Sequence, residues 1–208
     1  MGLAILGTRT QAPQRIGVVG LGAGTLAAYG RLGDYYRFYD INPLVIRIAY
    51  TEFTFLRDSA ATIDVILGDA RLALEREAPQ NFDVLVLDAF AGDAIPVHLL
   101  TREAFAAYFR HLKPDGALAV LISNRYLDLR PVVRQAADFY AKEARLVDTE
   151  DDDDDDEDDV GPGSSWVLVS SAPGFFAQKS LAPAQAITMD ARMRPWTDDF
   201  SSLYHLLQ

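Results

Sequence analysis

Short apolar runs alternate with amphipathic stretches of helical length through the first 144 residues, and this alternation restricts the fold more than any other feature of the chain. Residues 15–19, RIGVV, have the length and composition of a buried strand, and Gly20-Leu21-Gly22-Ala23-Gly24 separates them from TLAAYGRL, read as a short helix. Residues 36–40 (YRFYD), 63–67 (IDVIL), 83–88 (DVLVLD) and 117–123 (ALAVLIS) repeat the strand pattern. PLVIRIAYTEF, ARLALEREA, TREAFAAYFRHL and RPVVRQAADFYAKEA supply the helices between and after them. Pro43 suits a first helical turn, Thr101 an N-cap, and Lys113-Pro114-Asp115-Gly116 a turn. Five βα steps in succession predict a doubly wound, mostly parallel sheet with helices on both faces. RLVDT and SSWVLVSS bring the expected strand count to seven, as an edge hairpin that puts an antiparallel strand near the C-terminus. WTDDFSSLYHLL is expected to pack back as a short helix.

Composition narrows the chemistry. The chain has 208 residues and no cysteine, which excludes disulfide scaffolds, cysteine zinc sites and thiol nucleophiles. The net charge of −11 is concentrated: residues 151–159, DDDDDDEDD, hold nine acids, and the remainder carries 21 acids against 19 bases. That tract lacks the central glycine and alternating ligands of a calcium loop, and reads as a solvated, self-repelling, disordered loop at about 149–163 inside one domain spanning 15–208. No basic patch points to nucleic acid, no apolar run approaches the ~20 residues of a membrane span, and MGLAILGTRT lacks a signal peptide's basic region. The expectation is a cytoplasmic protein with no metal.

In open α/β sheets, ligands bind beyond the carboxyl ends of the strands. Here those ends carry Gly20, Gly22 and Gly24, then Asp40, Asp69 and Asp88, with Asn124 at the fifth. The glycine loop either admits a ligand to the backbone or only packs a strand tightly on a helix. Residues 22–27 satisfy G-x-G-x-x-A, the dinucleotide fingerprint, but in a register two residues late. Asp40, with Ile41 beside it, stands 20 residues after Gly20, where a carboxylate accepts ribose hydroxyls of a nicotinamide or an adenosyl cofactor equally well. Asp69, followed by Ala70, either accepts from the exocyclic amine of adenine or caps ARLALE. Asp88 ends a wholly apolar run, as a pocket acid or a loop cap. Of the histidines, His111 reads as a surface or boundary residue, while His98 follows the loop after Asp88 and is near enough to approach the pocket. Trp166 reads as core and Trp196 as a possible wall of the cleft.

From Arg15 to Val133 the chain resembles the spermidine synthase (polyamine aminopropyltransferase) family, which has the class I methyltransferase fold. VVGLGAGTL matches its glycine motif, YDINP its ribose motif, Gly68-Asp69 its adenine motif and DVLVLDAFAGDAIP its catalytic strand and gate loop. DAFAGDAIPVHLLTREAF, SNRYLDLRPVV and WTDDF look like a bacterial spermidine synthase-like subgroup. The resemblance implies Gly20, Gly22, Gly24, Asp40, Ile41, Asp69 and Ala70 as cofactor contacts and Asp88 as the base. It implies decarboxylated S-adenosylmethionine, or S-adenosylmethionine, as co-substrate, and a small amine as acceptor. Asp93, two residues beyond Ala91, is expected to substitute as amine anchor if the gate loop is rebuilt; Tyr126 either closes the pocket or packs in the core; Asp198 and Asp199 form a cation subsite or cap a final helix. Three departures stand out. Ala23 occupies the place of an acid that binds the donor's amino end, Ala91 that of a second gate-loop acid, and residues 1–14 are an expected remnant where the family has a β-domain. The alternatives are an S-adenosylmethionine-dependent methyltransferase, a degenerate nucleoside-binding module and, last, a nicotinamide dehydrogenase. A homodimer is one open arrangement.

Overall fold

The computed structural model describes residues 12–89, 95–124, 126–148, 164–188, 193–203 and 206. The acidic tract lies outside them.

Eight strands form one sheet in the order β3-β2-β1-β4-β5-β7-β6-β8. They are β1 (Arg15–Val19), β2 (Tyr35–Asp40), β3 (Thr62–Leu67), β4 (Phe82–Leu87), β5 (Leu112–Leu121), β6 (Glu143–Asp148), β7 (Ser165–Ser170) and β8 (Gln185–Ala186). The first five pair in parallel, and β7 runs antiparallel between β5 and β6. The sheet is thus mostly parallel and doubly wound, with one strand more than the seven expected. The addition is β8, two residues on the open edge of β6, too short to leave an alternating pattern.

The helices are α1 (Pro43–Thr51), α2 (Phe55–Asp58), α3 (Ala70–Arg76), α4 (Arg102–His111) and α5 (Arg130–Phe139). TLAAYGRL forms only a 3-10 turn, Thr25–Tyr29. Local chemistry sets several starts: Asn42, Asp69 and Thr101 each accept a backbone N–H of the turn they precede, and Pro43 and Pro131 sit in first turns.

Successive strand side chains point to opposite faces, so a sheet covered on both sides needs apolar residues at every position. The central strands largely meet that requirement, and β3 at the edge, with Thr62 and Asp64 and no buried position, does not. Ile16, Val18, Tyr36, Phe38, Val84 and Val86 join one core with Ala49 of α1 and Leu56 of α2. Leu85, Leu87, Leu118 and Val120 join the other, with Leu74 of α3, Phe105 and Tyr108 of α4 and Val133 of α5. Each large aliphatic or aromatic side chain so buried contributes about 1.5–3 kcal/mol. Trp166 lies in the first core and Trp196 in the second, 3% exposed, so Trp196 is a packing residue.

Three local expectations change. Lys113-Pro114-Asp115-Gly116 does not turn the chain; it is absorbed in β5 as an irregularity, the register passing from Phe82↔Leu112 to Val84↔Ala117. His111 is fully buried rather than at the surface. Its Nδ1 accepts from Gln80 N (3.3 Å) and its Nε2–H donates to Leu74 O (2.7 Å), a neutral tautomer that burial favours by pushing its pKa down. The WTDDF segment is not helical: Thr197 and Phe200 exchange backbone hydrogen bonds around a tight turn. No described helix is long and apolar enough to cross a membrane.

Candidate functional site

The chain runs from β1 outward to β3, then returns to place β4 on the other side of β1, so the sheet changes direction between β1 and β4. Ligands in such sheets settle at this switch point. Hydrogen bonds beyond the strands hold their ends level. Gly20 N donates to Tyr39 O (2.8 Å), Gly68 N to Asp40 O (2.9 Å) and Asp88 N to Val19 O (2.8 Å). Asp40 adds a cross-link: Oδ2 accepts from Leu21 N (3.0 Å) and Oδ1 from Asn42 N (2.8 Å), fixing the glycine loop against the end of β2.

Above these ends lies a hollow of about 500 Å³. Gly20, Gly22, Asp40, Ile41, Asp69, Ala70 and Asp88 all line it, so the structure brings together seven of the eight residues expected at the cofactor and the base. Gly24 stands apart. It has φ +81°, precedes the 3-10 turn, and a Cβ there would lie 2.8 Å from Leu56 Cδ2, so its smallness serves packing. Gly22 faces open space, with nothing within 4 Å of where its Cβ would be. His98, which the sequence offered as able to approach the pocket, lines it; sequence reading passed over Leu21, Asn42, Val45, Pro96 and Leu99 as wall residues. The first three neighbour motif residues and could have been inferred; Pro96 and Leu99 arrive with His98 from a segment that the tertiary fold returns to the rim.

Asp88 lines this hollow, and partial burial pushes its carboxyl up to about 6, although the side chain remains open to solvent through the cavity. Asp69 does cap α3: Oδ1 accepts from Leu72 N (2.9 Å). Its Oδ2 pairs with His98 Nε2 at 3.1 Å.

A second hollow of about 630 Å³ adjoins the first and is lined by Arg71, Glu75, Thr101, Asp198 and Ser201 among others. Asp198 is not a free anion there. Arg71 donates to both its oxygens (2.7 and 2.5 Å), and the Thr101 hydroxyl adds a third bond at 2.8 Å. Arg71, buried, also donates to Glu75 (2.8 Å) and to His98 O (2.8 Å). The pair ties the WTDDF segment to α3 and to the start of α4. Asp199 is exposed, Tyr126 is 56% exposed on the loop after β5 where its N–H donates to Asn124 Oδ1, and Asp93 lies outside the described residues.

Asp198→Ala removes three charge-assisted bonds and is expected to cost about 1–2 kcal/mol after allowance for solvent screening, read by urea denaturation. Arg71 holds the Asp198 carboxyl below its ordinary 3.8, so this contribution is present above that pH and fades as the pH falls through the lower folded value.

No family model matches the sequence. A polyamine aminopropyltransferase of Vibrio vulnificus is 34% identical over 121 residues, 55% of this chain and 38% of that protein. A crystal structure of a probable spermidine synthase from Corynebacterium glutamicum superposes with a TM-score of 0.62, covering 88% of this chain and 72% of that one. The chain is thus similar in part of its sequence to a polyamine aminopropyltransferase and in its fold to a probable spermidine synthase. At 19% identity the structural match speaks for the fold, the methyltransferase fold of that group. An N-terminal histidine N-methyltransferase of Emericella nidulans is also similar, 33% identical over 108 residues, 50% of this chain and 19% of its own length. The chain thus spans well under half the length of these two curated relatives.

Proposed function

We propose that the chain is an aminopropyltransferase, moving the aminopropyl group of decarboxylated S-adenosylmethionine to a small amine in the cytoplasm. The observation that carries the reading is that Gly20, Gly22, Asp40, Asp69 and Asp88 line one hollow at the switch point. Asp40 is assigned to the ribose hydroxyls. Its two backbone bonds hold it in place, and each carboxylate oxygen keeps a further lone pair. Asp69 is assigned to the adenine amine, Ile41 and Ala70 to the ring's surroundings, and Gly22 to the open approach beside the sulfur. The donor, when bound, supplies a carbon made electrophilic by its sulfonium. Asp88 attracts the amine's positive charge and takes the proton from the attacking nitrogen. A carboxyl poised near 6 can do both, because it is ionised at neutral pH yet basic enough to accept. Asp93, Tyr126 and Asp199 belong to the amine side in this reading. Asp198 acts by position, through Arg71.

A second reading, methyl transfer from S-adenosylmethionine, is favoured by two observations: Ala23 leaves the glycine loop without an acid for the donor's amino end, and a methyltransferase is among the relatives. Calorimetric titration with both donors decides. We expect the decarboxylated donor to bind about tenfold or more tightly, which takes only about 1.4 kcal/mol of discrimination. A preference for the intact donor would select methyl transfer. Binding of methylthioadenosine without turnover of any amine would select a non-catalytic module.

A further inference from the structure

We propose that His98 is a latch on Asp69 that the nucleoside must displace, and so sets the affinity and base selectivity of the site; this rests on the adenosyl reading above. The two hollows share only Asp69 and His98 among their described lining residues, so this side-chain pair is the partition between them. Asp69 has two oxygens to offer. Oδ1 is committed to Leu72 N at 2.9 Å, because α3 needs its cap. Oδ2 is the oxygen left for an exocyclic amine, and the ring N–H of His98 occupies it at 3.1 Å. His98 lines the same hollow as Asp69, where the nucleoside's amine must reach Oδ2.

The latch is built to swing. Its backbone is pinned, since His98 O accepts from Arg71 Nη1, and Arg71 is in turn fixed by Asp198, Thr101 and Glu75. Its side chain is half exposed and, among the described residues, hydrogen-bonds to Asp69. On its other side lies the second hollow, which gives the ring room to leave without moving the chain. Displacement breaks one hydrogen bond that binding must replace.

Titration calorimetry on the full chain tests this with methylthioadenosine and its 6-oxo counterpart, methylthioinosine, which lacks the exocyclic amine. His98→Ala is expected to bind methylthioadenosine about three- to tenfold more tightly than the native protein, the worth of one ordinary hydrogen bond, and methylthioinosine unchanged. His98→Gln, which restores a donor of similar reach, should return methylthioadenosine affinity to the native value. Unchanged or weaker methylthioadenosine binding by His98→Ala overturns the latch, as does an equal gain for both nucleosides. Failure of the native protein and every variant to bind methylthioadenosine removes the adenosyl reading itself, and the latch with it.

Discussion

Asp88→Asn is expected to lower turnover by about 10²–10⁴-fold, the range for loss of a positioned general base, while leaving methylthioadenosine affinity largely intact. The reason lies in placement. Asp88 sits one residue past β4, on the end of a strand whose last four residues are all buried, and its backbone is fixed by Val19 O. Asparagine keeps the size and the backbone bond but removes the basic oxygen. Steady-state assays with a diamine and the decarboxylated donor measure the loss; unchanged turnover would take Asp88 out of the reaction. Two pH effects accompany it. In the free protein the carboxyl titrates near 6, so kcat/KM should rise as the pH passes through about that value, and the rise should vanish in Asp88→Asn. Stability moves the opposite way. The folded value lies above the ordinary 3.8, so the unfolded chain ionises Asp88 more readily. The native state's relative advantage is complete below that pH and is lost as the pH rises through about 6. Asp88→Asn should therefore gain stability over the native protein on going from pH 4 to 7, seen as a shift in denaturation midpoint. Such a gain from removing a functional acid is the expected sign of a charge placed for chemistry rather than for stability.

Gly20→Ala is the second large effect. Gly20 has φ +96°, and a Cβ there would lie 2.1 Å from Asp88 O and 2.8 Å from Asp88 C. Neither atom can retreat, because Asp88 N is bonded to Val19 O one residue before the glycine. Alanine must open the seam between β1 and β4 at the point that carries the base. The loss should reach about 3 kcal/mol or more, combining left-handed backbone strain with a backbone clash. For a chain of this size that is a fall in Tm of roughly 6–12 °C. Gly22→Ala is the control: its φ is +54° but its Cβ meets nothing, so only the backbone cost of about 1–2 kcal/mol applies. Thermal unfolding followed by circular dichroism separates the two, and equal losses would show that the close approach of the strands is unimportant.

What the sequence determined by itself was the order of elements and several of their caps, which have local causes. The alternation of apolar runs and amphipathic segments defines five βα steps because strand and helix periods are properties of neighbouring residues. Asp40, Asp69 and Asp88 could be placed on one rim because parallel strands must all end on the same side once helices carry the chain back. Thr101 was legible as a cap for the same local reason. The tertiary structure decided what depends on distant partners. β8 exists only because β6 offers an open edge, and the Lys113–Gly116 turn flattened into β5 because Phe82 and Val84 hold its register. His111 could be buried because carbonyl and amide partners on another segment satisfy its ring. WTDDF gave up a helix because Arg71, 127 residues earlier, holds Asp198. His98 meets Asp69 across 29 residues, and Asp88 is shifted by the walls around it. Charge, burial and hydrogen bonding act through space, so their consequences become readable only when the chain has closed on itself.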